Sequence, residues 1–250
     1  MLSEDALRRA LRRAGLSAPV RWDDETGSTN ATAASMASDG SPAWTLVATG
    51  HQTAGRGRHG RAWVDRPGAA LLCSLVLRPS LDPGAVGLVS LAAGAAMAEA
   101  ASELSARAVR CAWPNDLMVE GTKIGGILGE TAIRDGRLAH VVVGIGVNLD
   151  PPDGVPGAGG IGRVDDEALL SGFLQRFRAL VEGPPEEILS RWRAISDTLG
   201  RRVRAATVGG DTVSGVAADL DETGALLIDA DQGRITVASG EVRRLDVGPG

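Results

Sequence analysis

Between Ser41 and Val64 the chain carries three arginines, Arg56, Arg58 and Arg61, and no aspartate or glutamate, although the formal net charge of the whole protein is −5. The arginines stand in the run His51-Gln-Thr-Ala-Gly-Arg-Gly-Arg-His-Gly-Arg-Ala-Trp63, spaced by Gly55, Gly57 and Gly60. Each guanidinium is a planar, permanently charged fork that fits a carboxylate or a phosphate. Glycine lets the backbone bend and lets a ligand come close to the main chain. Residues of these types in this order make a loop that can wrap one anion or two. The same composition serves in solvated surface loops and in disordered Arg/Gly segments that bind RNA, so the loop by itself leaves those readings open.

Three further stretches hold residue types suited to a polar ligand. Gly27-Ser28-Thr29-Asn30 precedes an Ala-rich segment. Trp113-Pro-Asn115-Asp116-Leu leads to Lys123-Ile-Gly-Gly-Ile-Leu-Gly129, and Gly144-Ile-Gly146-Val-Asn148 lies in a later apolar run. Each also has a plainer reading. Ser, Thr and Asn are the types that cap helices, Lys123 follows Gly121-Thr122 as an exposed turn lysine would, and Trp63 suits a core. Glycines inside a strand weaken it and mark close approach of a ligand or a second backbone. Cys73 and Cys111 lie in apolar runs, where a free thiol behaves as a small buried hydrophobe rather than a nucleophile. No Cys/His spacing suits zinc.

The elements that must position these residues are legible in outline. A chain of 250 residues can bury a full core as one large domain or two smaller ones. Its 44% hydrophobic and 23% charged residues are those of a soluble globular protein. A pI of about 5.3 argues against wholesale binding of nucleic acid or anionic membranes, which takes a basic face. The N-terminus has no apolar signal core and no run reaches the roughly 18 apolar residues of a membrane span, so a cytoplasmic protein is expected. Helices are predicted over Ser3–Arg13, Ala31–Ala37, Val86–Leu104, Asp166–Val181 and Pro185–Asp197. Strands are predicted over Trp44–Ala48, Ala70–Leu77, Val109–Trp113, Asp116–Val119, Lys123–Gly129 and Leu138–Leu149, with a hairpin turn at Asp135-Gly136. Beyond Leu199–Arg201 the texture changes to short strands at Val203–Val208, Thr212–Leu220, Ala225–Ala230, Arg234–Ala238 and Val242–Leu245, the spacing of a small barrel. Pro151–Gly162 is expected to be a surface loop.

Taken in order, Gly-Ser-Thr-Asn, Gln-Thr-Ala-Gly-Arg-Gly-Arg-His-Gly-Arg-Ala-Trp, Trp-Pro-Asn-Asp-Leu, Lys-Ile-Gly-Gly-Ile-Leu-Gly-Glu and Gly-Ile-Gly-Val-Asn-Leu make the stretch Gly27–Asp150 resemble a biotin protein ligase. The C-terminal strands resemble that family's small SH3-like barrel. Five ordered motifs are far more specific than one glycine-rich loop. The resemblance implies an α+β fold, with a mixed-sheet catalytic domain over 1–199 and an SH3-like domain over 200–250. It implies that the biotin carboxylate attacks the α-phosphate of ATP, giving biotinyl-5′-adenylate and pyrophosphate. A lysine of an acceptor then takes the biotinyl group and AMP leaves. Mg²⁺ is expected on the phosphates; its ligands are not legible. The implied acceptor is a biotin carboxyl carrier protein or domain of an acyl-CoA or pyruvate carboxylase.

By the same resemblance Ser28, Thr29, Asn30 and Gln52 hold the ureido end of biotin. Gly55, Arg56 and Gly57 wrap its carboxylate, Arg58 bridges carboxylate and phosphate, and Gly126, Gly144 and Gly146 keep the floor open. Lys123 contacts carboxylate and α-phosphate in the transition state. Arg61, Trp63, Asn115 and Asn148 face the nucleotide, with Trp63 stacked on adenine. Asp116 orients the incoming lysine, whose ordinary pKa of about 10.4 makes it a poor nucleophile until it loses a proton. The Ala54–Trp63 loop is expected to become ordered on ligand binding. At His59 many relatives have arginine. About two dozen residues precede Gly27, so the DNA-binding domain of some relatives, and specific DNA binding with it, is not expected. A monomer or weak homodimer is. A lipoate-type ligase is the nearest alternative, and a non-catalytic biotin-binding or RNA-binding protein the alternative of another class.

Overall fold

The computed structural model describes residues 2–78, 86–135, 137–207 and 211–245. Its larger sheet has seven strands in the order β1-β2-β3-β7-β6-β5-β4. These are β1 (Val20–Asp23), β2 (Leu46–Thr49), β3 (Ala70–Leu77), β4 (Val109–Ala112), β5 (Asp116–Val119), β6 (Thr122–Arg134) and β7 (Arg137–Asn148). β1 and β2 run parallel and every other neighbouring pair antiparallel, so the sheet is mixed.

The side-chain period of two divides this sheet into two unlike faces. β7 gives Val141, Val143, Ile145 and Val147 to the main core and Val142 to a smaller cluster on the other side. β3 gives Leu71, Cys73 and Leu75 to the main core and Val76 to the smaller cluster. Four helices fill the main-core side: α1 (Glu4–Arg13), α3 (Val86–Ser105), α4 (Asp166–Glu182) and α5 (Pro185–Ala194). α3 is buried nearly all round, as its alanine-rich composition requires. α4 puts Leu169, Leu170, Phe173, Leu174, Phe177 and Leu180 inward at helical spacing. The opposite face carries one helix, α2 (Thr29–Ser38), seated through Ala33 and Ala37 on Val47, Val76 and Val142. The rest of that face is left open, and Ser74, Gly144, Gly146 and Asn148 lie on it.

The smaller sheet is antiparallel, in the order β11-β10-β9-β8-β12. Its strands are β8 (Arg202–Thr207), β9 (Thr212–Leu220), β10 (Leu226–Ala230), β11 (Gly233–Val237) and β12 (Gly240–Arg244). No ladder joins β11 to β12 among the described residues. The sheet is fixed to the larger unit by Trp113, whose indole Nε1 donates to Gly224 O at 3.0 Å and whose backbone N–H donates to Thr198 Oγ1 at 2.8 Å.

The elements depart from the sequence-based expectations most in three places. β1 was not expected: Val-Arg-Trp-Asp is short and only partly buried, and its parallel pairing with β2 rather than its own pattern makes it a strand. β6 begins at Thr122 and reaches Arg134, because the turn is Glu120-Gly121, both at positive φ (51° and 80°), rather than Gly121-Thr122. α5 stops at Ala194, and Ile195 and Asp197 instead bond the backbone of Cys111 beside β4. In the expected hairpin Asp135 adopts φ 52°, while Gly136 and the end of the expected strand at Val208 lie outside the described residues.

Ser3 caps α1 by accepting from the Ala6 N–H at 3.3 Å. The helix buries Ala6, Leu7, Ala10 and Leu11 and packs on α4. Leu7 is fully buried. Leu7→Ala is therefore expected to cost about 2–5 kcal/mol in urea unfolding with an unchanged m-value. A loss below about 1 kcal/mol would mean that α1 lies outside the cooperative core.

Candidate active site

A cavity of about 290 Å³ opens on the α2 side of the larger sheet. Its floor is built from β6 and β7, where Gly126 pairs with Gly146. A Cβ on Gly144 would lie 2.1 Å from Asn30 Oδ1, and one on Gly146 would lie 2.6 Å from the Trp63 ring. Side chains from α2 and from the arginine loop thus rest directly on the glycine backbone. Gly126 is not crowded in this way: its nearest neighbour would be 3.7 Å off, and a side chain there would take up cavity space.

The loop over the floor is shaped by its own backbone. Thr53 and Ala54 N–H groups donate to Thr26 and Gly27 carbonyls, at 2.9 and 2.8 Å, which ties the loop to the start of α2. Trp63 N–H bonds Gly55 O and Gly57 N–H bonds Arg61 O, at 2.9 and 2.7 Å, with a short 3₁₀ turn at Arg58–Gly60 between them. His59 sits in the left-handed region (φ 55°). Gly55 is buried behind the wall rather than in the cavity lining; a Cβ there would meet Trp63 O at 2.8 Å.

Ser28, Thr29, Asn30, Gln52, Arg56, Gly57, Arg58, Arg61, Trp63, Asn115, Asp116, Lys123, Gly126, Gly144, Gly146 and Asn148 all line this one cavity. The capping alternative for the first three does not hold. Ser28 occupies the cap position of α2 without a side-chain cap bond, and Thr29 and Asn30 lie inside the helix. The free Thr29 N–H is satisfied by Gln52 Oε1 at 2.8 Å. Lys123 lies in β6 rather than in the turn, and its half-exposed side chain lines the cavity with Nζ 2.5 Å from Asp116 Oδ1.

Each cation over the floor has a protein partner. Arg56 meets Glu130 at 3.3 Å, Arg61 meets Glu241 at 2.6 Å, and Lys123 meets Asp116. Arg58 is the exception in kind. Its guanidinium reaches Gly240 O at 3.2 Å, Ser239 Oγ at 3.1 Å and Asn115 Oδ1 at 3.5 Å, all uncharged groups. Burial lowers its pKa, against the pull of Asp116 and helped by the nearby charge of Arg61. The hydrogen bond to Glu241 raises Arg61 and in return holds the Glu241 carboxyl below its usual range. A half-buried guanidinium with a second one beside it and, among the described residues, no carboxylate bonded to it is a place for an incoming anion. Asn148 gives part of its capacity to the scaffold, donating to Gly159 O at 3.1 Å and so fixing the 151–162 loop at the rim. Trp63 Nε1 is buried without a partner among the described residues.

Sequence reasoning missed Ser74, Glu130 and the segment 239–242. Ser74 is fully buried and bonds Thr29 Oγ1 and Asn30 Oδ1 at 2.8 and 2.6 Å. A lone hydroxyl inside the apolar run Ala70–Leu77 was the available signal, since a buried hydroxyl needs a partner. Glu130 closes the Lys123–Glu130 motif and was given no role. Nothing local marked Ser239 to Val242 as part of the site.

The two thiols are elsewhere. Cys73 and Cys111 lie in the main core. Burial pushes Cys73 up to about 12 and Cys111 higher still, with Glu99 adding to the latter. Neither should react with a thiol-specific disulfide reagent in the native protein at about pH 8, where a free thiol of pKa about 8.5 reacts readily, and both should react on unfolding. Native reaction at the free-thiol rate would contradict this packing.

Known proteins resemble the chain along most of its length. Residues 24–148 match the biotin/lipoate A/B protein ligase family and residues 198–244 match the biotin protein ligase C-terminal domain. A biotin–[acetyl-CoA-carboxylase] ligase of Mycobacterium tuberculosis is 34% identical over 88% of this chain and 87% of its own. The bifunctional ligase/repressor BirA of Bacillus subtilis is 30% identical over 96% of this chain and 78% of its own. A structure of the biotin protein ligase from Aquifex aeolicus in complex with biotin and ATP shares the fold, with a TM-score of 0.75 at 23% identity over 90% of this chain and 99% of that one. The chain belongs to the biotin/lipoate A/B protein ligase family and, within it, to the biotin protein ligases.

Proposed function

We propose that this cavity joins biotin to ATP and hands the biotinyl group to a lysine of a carrier domain. The observation that carries the reading is the convergence of Arg56, Arg58, Arg61 and Lys123 over one glycine floor whose far end is polar. The biotin carboxylate oxygen attacks the α-phosphorus of ATP and pyrophosphate leaves. The acceptor amine then attacks the carbonyl carbon of the mixed anhydride, loses a proton, and AMP leaves.

Ser28, Thr29, Asn30 and Gln52 take the ureido end. Arg56, with the backbone at Gly57, takes the carboxylate, Arg58 spans carboxylate and phosphate, and Gly55 shapes the loop from behind through its bond to Trp63 N–H. Arg61, Asn115, Asn148 and the face of Trp63 take the nucleotide. Gly126 leaves room for the reacting atoms, whereas Gly144 and Gly146, expected to keep the floor free of side chains, instead let Asn30 and Trp63 seat directly on it. Lys123 compensates the charge that develops at the α-phosphate. Its ion pair with Asp116 ties the two half-reactions together. As Lys123 turns to the phosphate, Asp116 is released to accept or steer the proton of the acceptor amine. Mg²⁺ carried on the nucleotide phosphates would supply charge neutralisation there. The acids that line the cavity, Asp116 and Glu241, are each engaged with a cation, which suits an ion that keeps its waters and few protein ligands.

Residues 1–199 act as the catalytic domain and 200–250 as an SH3-like domain that closes one side of the site through Gly240–Val242. The acceptor is a carrier domain of an acyl-CoA or pyruvate carboxylase. The protein works in the cytoplasm, where ATP is available, as a monomer or weak homodimer. Incubation with biotin, magnesium ATP and a biotin carboxyl carrier domain should add one biotinyl group to the target lysine by intact mass. No addition, or equal addition of lipoate, would contradict the assignment.

The two half-reactions should separate by mutation. Lys123→Ala is expected to slow single-turnover pyrophosphate release by ~10²–10³. Asp116→Asn is expected to form adenylate and pass it to the target lysine ~10²-fold more slowly. Normal adenylate formation by Lys123→Ala, or normal transfer of preformed adenylate by Asp116→Asn, would remove the role in question.

A further inference from the structure

Behind the polar end of the cavity runs a hydrogen-bonded chain that takes no part in the chemistry. Asn30 is 3% exposed. Its side-chain nitrogen donates to Leu128 O at 3.2 Å and to Glu130 Oε2 at 2.6 Å, and its oxygen accepts from Ser74 Oγ at 2.6 Å. A carbonyl and a carboxylate can only accept, so the amide nitrogen must face β6 and the oxygen must face Ser74. Both amide hydrogens are used there. Asn30 retains one lone pair on Oδ1 and no N–H for a ligand. Gln52 is held the other way round. Its Oε1 accepts from Thr29 N–H at 2.8 Å and lies 3.2 Å from Thr29 Oγ1, which leaves Nε2, without a partner among the described residues, as the end able to donate.

Glu130 is the group that enforces the first orientation. Ser74, as a hydroxyl, can donate or accept and tolerates either end of the amide. Leu128 O opposes a flip with one weaker bond. Glu130 opposes it with a carboxylate oxygen 2.6 Å from the amide, which would face another oxygen after a flip. Arg56 holds the same Oε2 from the loop side at 3.3 Å. We infer that Glu130 is a specificity-determining positioning residue. By fixing the Asn30 amide it makes the wall present an acceptor at Asn30 beside a donor at Gln52. That pair selects a head group bearing an N–H next to a carbonyl, the pattern of a cyclic urea. The inference rests on the reading of this cavity as the biotin site.

A ligand with oxygen in place of that N–H sets two lone pairs against each other, an unsatisfied contact worth on the order of 10- to 100-fold in affinity. Titration calorimetry of the whole chain with biotin, and with cyclic-carbamate analogues in which oxygen replaces one or the other ureido nitrogen, reads this ratio directly. The wild-type protein should prefer biotin to at least one analogue by that factor. Glu130→Gln lets the amide turn, so the ratio should fall about tenfold or more, with biotin weakened and that analogue not. Asn30→Asp combined with Glu130→Gln puts an oxygen-only side chain opposite a donor and should restore the preference. If Glu130→Gln alone does not fold, the double variant still decides: a retained ratio supports the inference and a lost one overturns it. Equal loss of affinity for biotin and analogue in Glu130→Gln would reduce Glu130 to a structural role and overturn it as well. So would a wild-type protein that binds biotin and both analogues alike. Binding of none of the compounds would instead contradict the reading of the site.

Discussion

A carboxylate and a triphosphate repel one another, and an enzyme that joins them has to supply positive charge where they meet. At an effective dielectric of roughly 20, each pair of unit charges about 4 Å apart contributes about 4 kcal/mol of repulsion. Four cations stand over the glycine floor to offset it. Leaving them unpaired would set like charges together over a small cavity. Here Arg56, Arg61 and Lys123 are each held by a carboxylate, Glu130, Glu241 and Asp116. Arg58, whose partners among the described residues are all neutral, is half-buried and is the member most ready for an anion. Ligand binding is then an exchange of partners, in which internal carboxylates are replaced by carboxylate and phosphate oxygens.

The larger sheet makes this arrangement possible by treating its two faces differently. Odd-numbered residues of β3 and β7 build the main core with α1, α3, α4 and α5. Even-numbered positions face α2 and, past the end of that helix, the cavity. Placing Ser74, Gly144 and Gly146 at those positions opens a hollow without breaking the ladders between β3, β7 and β6. The smaller sheet completes the site from the far end of the chain, with Gly240 and Ser239 on Arg58 and Glu241 on Arg61.

The arginine loop, the Lys123 segment and the paired glycines were legible because each is a local pattern whose residue types have few alternative uses in that order. So were the long helices, whose apolar period is unambiguous. The partners were not. Ser74 and Glu130 sit within a strand or at the end of a motif and acquire meaning only from the face they share with Asn30. Ser239 to Val242 lie nearly two hundred residues from Arg58, and no local pattern signals such a contact. β1 escaped notice because a four-residue parallel edge strand owes its existence to its neighbour. Ser28 showed a different failure: a helix-capping residue type stood in the capping place, but the cap bond to the helix came from Gln52.

The account stands on the exchange of partners over the floor, and amide hydrogen exchange across the arginine loop tests it most directly. Ala54 to Trp63 has few apolar anchors, and its internal ion pairs are partly exposed, so they contribute little to order on their own. Biotinyl-adenylate should raise protection across this loop well above that of the free protein, while β3 and β7 remain unchanged. Equal protection of the loop in the free and adenylate-bound protein would contradict the account.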